Sequence, residues 1–497
     1  MPKFVVVGGG SSGWIAATTL LGVPGADITV IESPTVPKIG VGESTIDGFT
    51  DWMNLMGITP EDMMKDTDAV YKLAIKFEKF LGPGHECYYP FGSSGIDENH
   101  FITWSQRRFV SPEMHVSFAD TFFANMALVR TGKFKKDSDS FKHNCHALHF
   151  DAAKFGPWLW KNYCEPKGVK RILMDVSRVE TDDDGIKYLE LSDGYHIQAD
   201  LFIDCTGFKS MLLEGALKEP FNDCSNVLPN NMAWATHMPY IDKEKELEAV
   251  TNCTAIGNGW VWNIPLWSQI GTGYVYSNKF ITDEQALDEF KAHLKTKGRD
   301  PETLEYKKIF MKNGIHERIW VKNVVAIGLA AGFIEPLEST GLWFTHEFAY
   351  SLLRILCRGA KPNQHDRDMF NNISKHQWKQ TLGFVCKHYA LSTRQDTDYW
   401  KAVANTSFPD DEQFTVGSFH PQNRWYSPWP GMNVIAAGFE HHFYDESYFC
   451  TNAFPRKYNW QEFFNDSFID LDKARQKWLK EAESAETLMN VLTKIHS

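Results

Sequence analysis

The chain has 497 residues and carries 51 Lys and Arg against 63 Asp and Glu, a net charge of −12. That acidic balance argues against nonspecific nucleic-acid binding and against an anionic membrane surface, and no apolar run approaches the roughly 18 residues of a transmembrane helix. Aromatic residues make up 14% of the chain (17 Trp, 17 Tyr, 35 Phe), which excludes a disordered polymer and leaves two readings: an aromatic core, or a site for flat ligands.

Taken in chain order, residues 4–7 read as a short buried strand, 12–21 as a helix and 28–31 as a second strand. Between the first two lies Gly8-Gly9-Gly10-Ser11-Ser12-Gly13, which satisfies GxGxxG through Gly8, Gly10 and Gly13. Glycine at those positions permits a tight turn, close approach of backbone to a pyrophosphate and close helix–strand packing. The phosphates then sit at the positive helix end, opened here by Ser11 and Ser12. Glu32 closes the second strand, where an acid would hold a ribose hydroxyl. The same stretch fits GxSxG through Gly9, Ser11 and Gly13. A nucleophile elbow, however, needs earlier strands and an oxyanion loop, and only eight residues precede Gly9.

Further strand-like runs lie at 71–77, 201–203 and 324–327. In the first, alternation puts Tyr71, Leu73, Ile75 and Phe77 on one face and Lys72, Ala74, Lys76 and Glu78 on the other. By period alone the second face reads as solvated. His143, Cys145, His146 and His149 are the densest potential metal ligands, but match no zinc spacing, and His441-His442 ranks no higher, so no metal is expected. Gly271-Thr272-Gly273 lacks a third glycine and a following helix, so a second dinucleotide fingerprint is not found. Residues 407–432 read as loop. Leu471, Ala474, Trp478, Ala482, Ala485, Met489 and Leu492 form one apolar helical stripe, expected to pack on the main body. The nine cysteines are scattered, with no CxxC pair, which fits a reducing cytoplasm.

Four other segments bear on the ligand: Gly40-Val41-Gly42-Glu43-Ser44-Thr45, Asp204-Cys205-Thr206-Gly207, Gly328-Leu329-Ala330-Ala331-Gly332, and Trp260-Val261-Trp262-Asn263-Ile264-Pro265. The first three resemble the contact segments of FAD-binding flavoproteins. The fourth matches WxWxIP. With Tyr71-Lys72, His149-Phe150-Asp151 and the run from Phe333 to Gly341, the chain resembles the flavin-dependent halogenases of the tryptophan-halogenase type along nearly its whole length.

The resemblance implies an α/β fold: a Rossmann-like, flavin-monooxygenase-like FAD-binding and catalytic domain over 1–380, and a mainly helical part over 381–497 that covers the substrate. It implies FAD used as FADH2, with O2 and halide (chloride, bromide or iodide). Gly8, Gly10, Ser11, Ser12, Gly13, Glu32, Gly40, Val41, Gly42, Glu43, Val176, Leu329 and Leu342 would contact the flavin nucleotide. Lys72 and Glu338 match the family's two essential residues, and Thr340 and Gly341 its halide site, although these two would also serve as a helix cap. Trp260, Trp262 and Pro265 match the barrier between flavin and substrate, and Phe91, with Tyr89, the clamp on the arene. Glu335 fits an ordinary helix-start acid. With one dinucleotide motif, the reduced flavin would come from a separate NAD(P)H-dependent reductase. An aromatic small molecule is the remaining partner, and a homo-oligomer is compatible with the sequence. Ala436-Ala437-Gly438-Phe439-Glu440-His441-His442-Phe443 stands where free-tryptophan halogenases carry a Tyr-Tyr pair and a glutamate. The expected substrate is therefore not free tryptophan but an electron-rich, indole-type or other arene lacking that amino-acid handle, or a larger substrate. The alternatives are a flavin-dependent aromatic hydroxylase, which lacks WxWxIP, and a noncatalytic flavin-binding protein, which would lack Lys72 or Glu338.

Overall fold

Three consecutive valines favour extended backbone, and Lys3–Val7 is a central strand of a six-stranded sheet. The computed structural model describes residues 1–36, 43–92, 104, 107, 112–114, 116–136, 138, 140, 141, 146–359, 361–406, 430–439 and 460–497. The sheet order is Trp320–Val321, Val324–Ala326, Leu201–Asp204, Lys3–Val7, Asp27–Glu32, Lys170–Leu173. All neighbours are parallel except the first pair. Such strands are covered on both faces, which is why they read as unbroken apolar runs. Val7 pairs with both Ile31 and Asp204, so three strands end together and open a crevice at their carboxyl ends. The helix Ser11–Leu20 starts at that crevice and buries every residue from Gly13 to Leu20.

A second, seven-stranded sheet contributes residues to the lining of the same crevice. Its order is Lys307–Phe310, Met232–Met238, Ile270–Tyr276, Gly259–Pro265, Val250–Ile256, Ala74–Glu78, Glu86–Pro90. It is antiparallel apart from the pairing of Val250–Ile256 with Ala74–Glu78. Gly271, Thr272 and Gly273 lie inside one of these strands. A Cβ on Gly273 would stand 2.2 Å from the Trp262 ring paired opposite it, so that glycine makes room for an indole.

The run 71–77 is not one strand. Val70–Lys72 pairs with Ala147–Phe150 in a small sheet, and Ala74–Glu78 joins the large one. At the break Leu73 N–H donates to Ala249 O, and its carbonyl accepts from Phe91 N–H. The expected shared face of Lys72 and Lys76 is therefore corrected. Lys72 is fully buried, whereas Lys76 is partly exposed and paired with Glu78 and Glu86.

The C-terminal stripe packs on the main body as expected, but on two helices, Trp460–Glu483 and Leu488–His496. Between them Glu486–Thr487 pairs with Lys133–Phe134. Residues 430–432, expected as loop, open the helix Pro430–Gly438; the rest of that loop lies outside the described residues. The helix Gln364–Ala390 runs through residue 380, so the expected division falls inside a continuous element.

Candidate active site

The crevice widens into a cavity of about 770 Å³. Gly8, Gly10, Ser11 and Ser12 form one wall. Gly8 has φ +119°, and a Cβ there would lie 2.2 Å from the Cys205 carbonyl oxygen. A Cβ on Gly13 would lie 1.8 Å from the Gly8 oxygen, whereas one on Gly10 would meet nothing within 4 Å. Two glycines thus let backbone close on backbone, and the third leaves the helix start open to the cavity. A pyrophosphate requires this of its cradle, so the site fits a dinucleotide. Glu32 lines the cavity at the end of its strand, where Arg171 binds its Oε2 at 2.8 Å. Val176, Leu329 and Leu342 line it further along, with Glu43, whose carboxyl is pushed by burial up to about 7. Gly40, Val41 and Gly42 lie outside the described residues.

Trp260 and Trp262 project from Gly259–Pro265 into the same wall, their ring centroids 6.3 Å apart. Pro265 ends that strand opposite Ile270. Ser339, on the cavity lining, is bonded to a group of buried side chains. Lys72 Nζ donates to Thr45 O (2.8 Å) and to Ser339 Oγ (3.1 Å), and stands 4.9 Å from the centre of the Phe91 ring. Burial lowers this ammonium from 10.5 to about 7, although Cys253, Glu338 and Asp47 act against the shift. Glu338 is 1% exposed. Burial raises its carboxyl, and His388 and Lys72 pull it back. His388 Nε2 lies 2.5 Å from Glu338 Oε1; Oε2 has no hydrogen-bond partner among the described residues. Tyr89 packs on Phe384 and on Gly431, 6.3 Å from Phe91.

Thr340 precedes the helix Gly341–Leu356, but its side chain makes no capping bond, and its Oγ1 is buried without a partner among the described residues. A Cβ on Gly341 would meet nothing within 4 Å. The first N–H groups of a helix are unpaired and carry partial positive charge, so this end suits a small anion.

The tryptophan halogenase sequence profile matches residues 3–459. The chain belongs to the tryptophan halogenase family. It is 32% identical over 440 residues to tryptophan 6-halogenase ThaL of Streptomyces albogriseolus, covering 84% of this chain and 81% of that protein. The VirX1 apo structure superposes with a TM-score of 0.88 at 34% identity over 99% of both chains. Tar14, a tryptophan C-6 flavin-dependent halogenase (chlorinase) from taromycin biosynthesis, superposes with a TM-score of 0.85 at 28% identity over 100% of both.

The chain is thus a flavin-dependent halogenase, an oxidoreductase with the Rossmann-like FAD-binding fold. It uses FADH2, O2 and halide on an aromatic substrate and works with a separate flavin reductase. No helix among the described residues is long and apolar enough to cross a membrane.

The sequence motifs do not show which partners the side chains of the halogenase site find in the fold, and Thr251 carries no sequence signal at all. Ser339 lines the cavity and accepts from Lys72. Its hydroxyl reaches Ser44 Oγ at 3.1 Å, Ser44 reaches Thr251 at 2.7 Å, and Thr251 reaches His149 Nε2 at 2.8 Å. His149, read as a potential metal ligand, therefore ends a hydroxyl chain, and burial and Lys72 hold its imidazole well below the usual range. His146 packs its ring on Tyr71 and Phe134; His143, Cys145, His441 and His442 lie outside the described residues. The reading of Glu335 as a helix-start acid is corrected. Its side chain caps nothing, is fully buried, and accepts from Tyr389 O–H and from Trp260 Nε1 at 3.3 Å. Burial pushes it up to about 7 against those bonds.

Proposed function

We propose that Lys72 and Glu338 are the catalytic pair, delivering halogen to an indole-type arene other than free tryptophan. Reduced FAD, held by Gly8, Gly10, Ser11, Ser12, Glu32, Glu43, Val176, Leu329 and Leu342, with Gly13 shaping the turn, supplies hypohalous acid from O2 and halide. We assign Gly40, Val41 and Gly42 to the same cradle on sequence alone. Thr340 and Gly341 hold the halide at the helix start. Trp260, Trp262 and Pro265 keep the arene away from the flavin space, and Phe91 and Tyr89 clamp its faces. The Lys72 ammonium, lowered to about 7 by burial, donates to the oxygen of hypohalous acid near neutral pH, and Glu338 takes the proton lost by the ring.

What supports this reading is that Lys72 and Glu338, distant in sequence, are both buried and interact, and that Ser339, which accepts from Lys72, lines the cavity. The reductase is taken to be NAD(P)H-dependent, the compartment cytoplasmic, and residues 381–497 the cover over the arene; the free thiols of the seven described cysteines suit that compartment.

A panel of indoles, phenols and tryptophan, incubated with reduced FAD in chloride, bromide or iodide and read by mass spectrometry, tests the assignment. Glu338→Gln is expected to lose about 100-fold or more in rate while still binding FAD; near wild-type halogenation by it would overturn the pair. Tryptophan is expected to bind weakly by calorimetry, and tight binding would refute the substrate reading.

A further inference from the structure

The hydrogen bonds around His388 fix how many protons it shares with Glu338. His388 sits on Gln364–Ala390 with its ring buried, and its Nδ1 lies 3.0 Å from Phe384 O, one turn back. A carbonyl oxygen only accepts, so Nδ1 carries a hydrogen in either charge state. Nε2 is then bare if the imidazole is neutral and protonated if it is an imidazolium. The 2.5 Å contact with Glu338 Oε1 needs one hydrogen in both cases, supplied by the carboxyl in the first and by the ring in the second. The pair holds one proton and is neutral overall.

Among the described residues, the other groups facing Glu338 are Lys72, Cys253 and Tyr89, and Asp47 faces Lys72 and Tyr89. Burial raises the Cys253 thiol and the Tyr89 phenol and keeps both neutral, and it also raises Asp47. Within this set Lys72 is the cation. Glu338 Oε2 is left as a buried acceptor.

We propose that Glu338 and His388 form a one-proton dyad, in which His388 is a positioning residue that directs Glu338 Oε2 to accept the proton leaving the arene. This rests on the assignment of Glu338 above. The steps balance. A ring carbon attacks the halogen of hypohalous acid; the carbon–halogen bond forms and the halogen–oxygen bond breaks. The departing hydroxide takes a proton from the Lys72 ammonium and leaves as water. The ring C–H bond then breaks, its electron pair returns to the ring, and its proton goes to Oε2. The dyad now holds two protons, one on the carboxyl and one on the imidazolium, and Lys72 is neutral. Total charge is unchanged, and one proton passed from dyad to Lys72 resets the site.

The test is His388→Gln, which keeps an N–H donor for Oε1 but cannot exchange a proton, assayed with wild type on an arene deuterated at the halogenated carbon. The variant is expected to keep FAD binding and KM and to lose about 100-fold or more in kcat. It should also show a deuterium effect on kcat that wild type lacks, and a displaced acid limb in its pH profile. A wild-type rate overturns the dyad, as does a slow variant with no isotope effect and an unchanged pH profile. If His388→Gln does not fold, His388→Ala with added imidazole decides: recovery of rate supports the dyad, and no recovery in the folded variant overturns it. Failure of wild type to halogenate any arene removes the parent reading instead, and the dyad with it.

Discussion

Lys72→Met is expected to abolish halogenation and to raise the melting temperature. The side chain is fully buried, and burial lowers its ammonium from 10.5 to about 7. A lysine with a depressed folded value costs nothing above the unfolded value, where both states are neutral. The cost grows as pH falls through that interval, because the unfolded chain binds the proton more tightly, and is complete below about 7. The difference between 10.5 and about 7 corresponds to roughly 5 kcal/mol. Methionine fills a similar volume without a charge. It leaves Thr45 O and Ser339 Oγ without their donor, at about 1–3 kcal/mol each, so the net gain is a fraction of the gross term. The gain should therefore be largest near pH 6 and fade toward pH 10, a trend readable by calorimetry across pH. Activity should fall about 1,000-fold or more, within the range for loss of a positioned proton donor. A variant that halogenates near the wild-type rate, or whose stability difference grows with pH, contradicts the argument.

Gly13→Ala is expected to remove FAD binding and to destabilise the fold. Its Cβ would lie 1.8 Å from the Gly8 carbonyl oxygen, and the next nearest atom is the Gly8 carbonyl carbon. No side chain can rotate away, so either the helix Ser11–Leu20 lifts from Lys3–Val7 or the Gly8 turn opens, at about 1–3 kcal/mol or more. Either movement displaces the N–H groups that would receive a pyrophosphate. Gly10→Ala is the control: its Cβ meets nothing within 4 Å but enters the cavity. It should keep the wild-type melting temperature while weakening FAD binding. Thermal unfolding and flavin titration of the two variants separate packing from occupancy, and equal behaviour of the two would contradict the cradle.

The parallel sheet is legible in the sequence because strands covered on both faces must be apolar throughout, and residues 4–7, 201–203 and 324–327 have no other use for such runs. Glu338 is legible because it sits inside a specific run of motif residues. The burial of Lys72 is not, since alternation assumes an unbroken strand. The break at Leu73 is made by Ala249 and Phe91, which come from other elements. Glu335 misleads for a similar reason. The residues before a short helical turn predict a cap, and only Tyr389 and Trp260 arriving from elsewhere make it a buried acid. His388 gives no local sign, because a histidine in a 27-residue helix reads as any other position until its partner is placed.

The aromatic surplus follows the same division. Trp14, Trp52, Trp320 and Trp400 are fully enclosed packing residues, and Trp260 and Trp262 stand at the cavity wall.

His388 and Tyr389 are neighbours on one helix, and they grip Glu338 and Glu335, which bracket a single turn. Trp260 hangs from the same Glu335. The proposed proton acceptor, Glu338, and the proposed indole screen, Trp260, are thus geared to one rod. If that rod moves along its axis, both bonds change together, so in the proposed scheme proton removal from the arene and its exclusion from the flavin space share one mechanical setting.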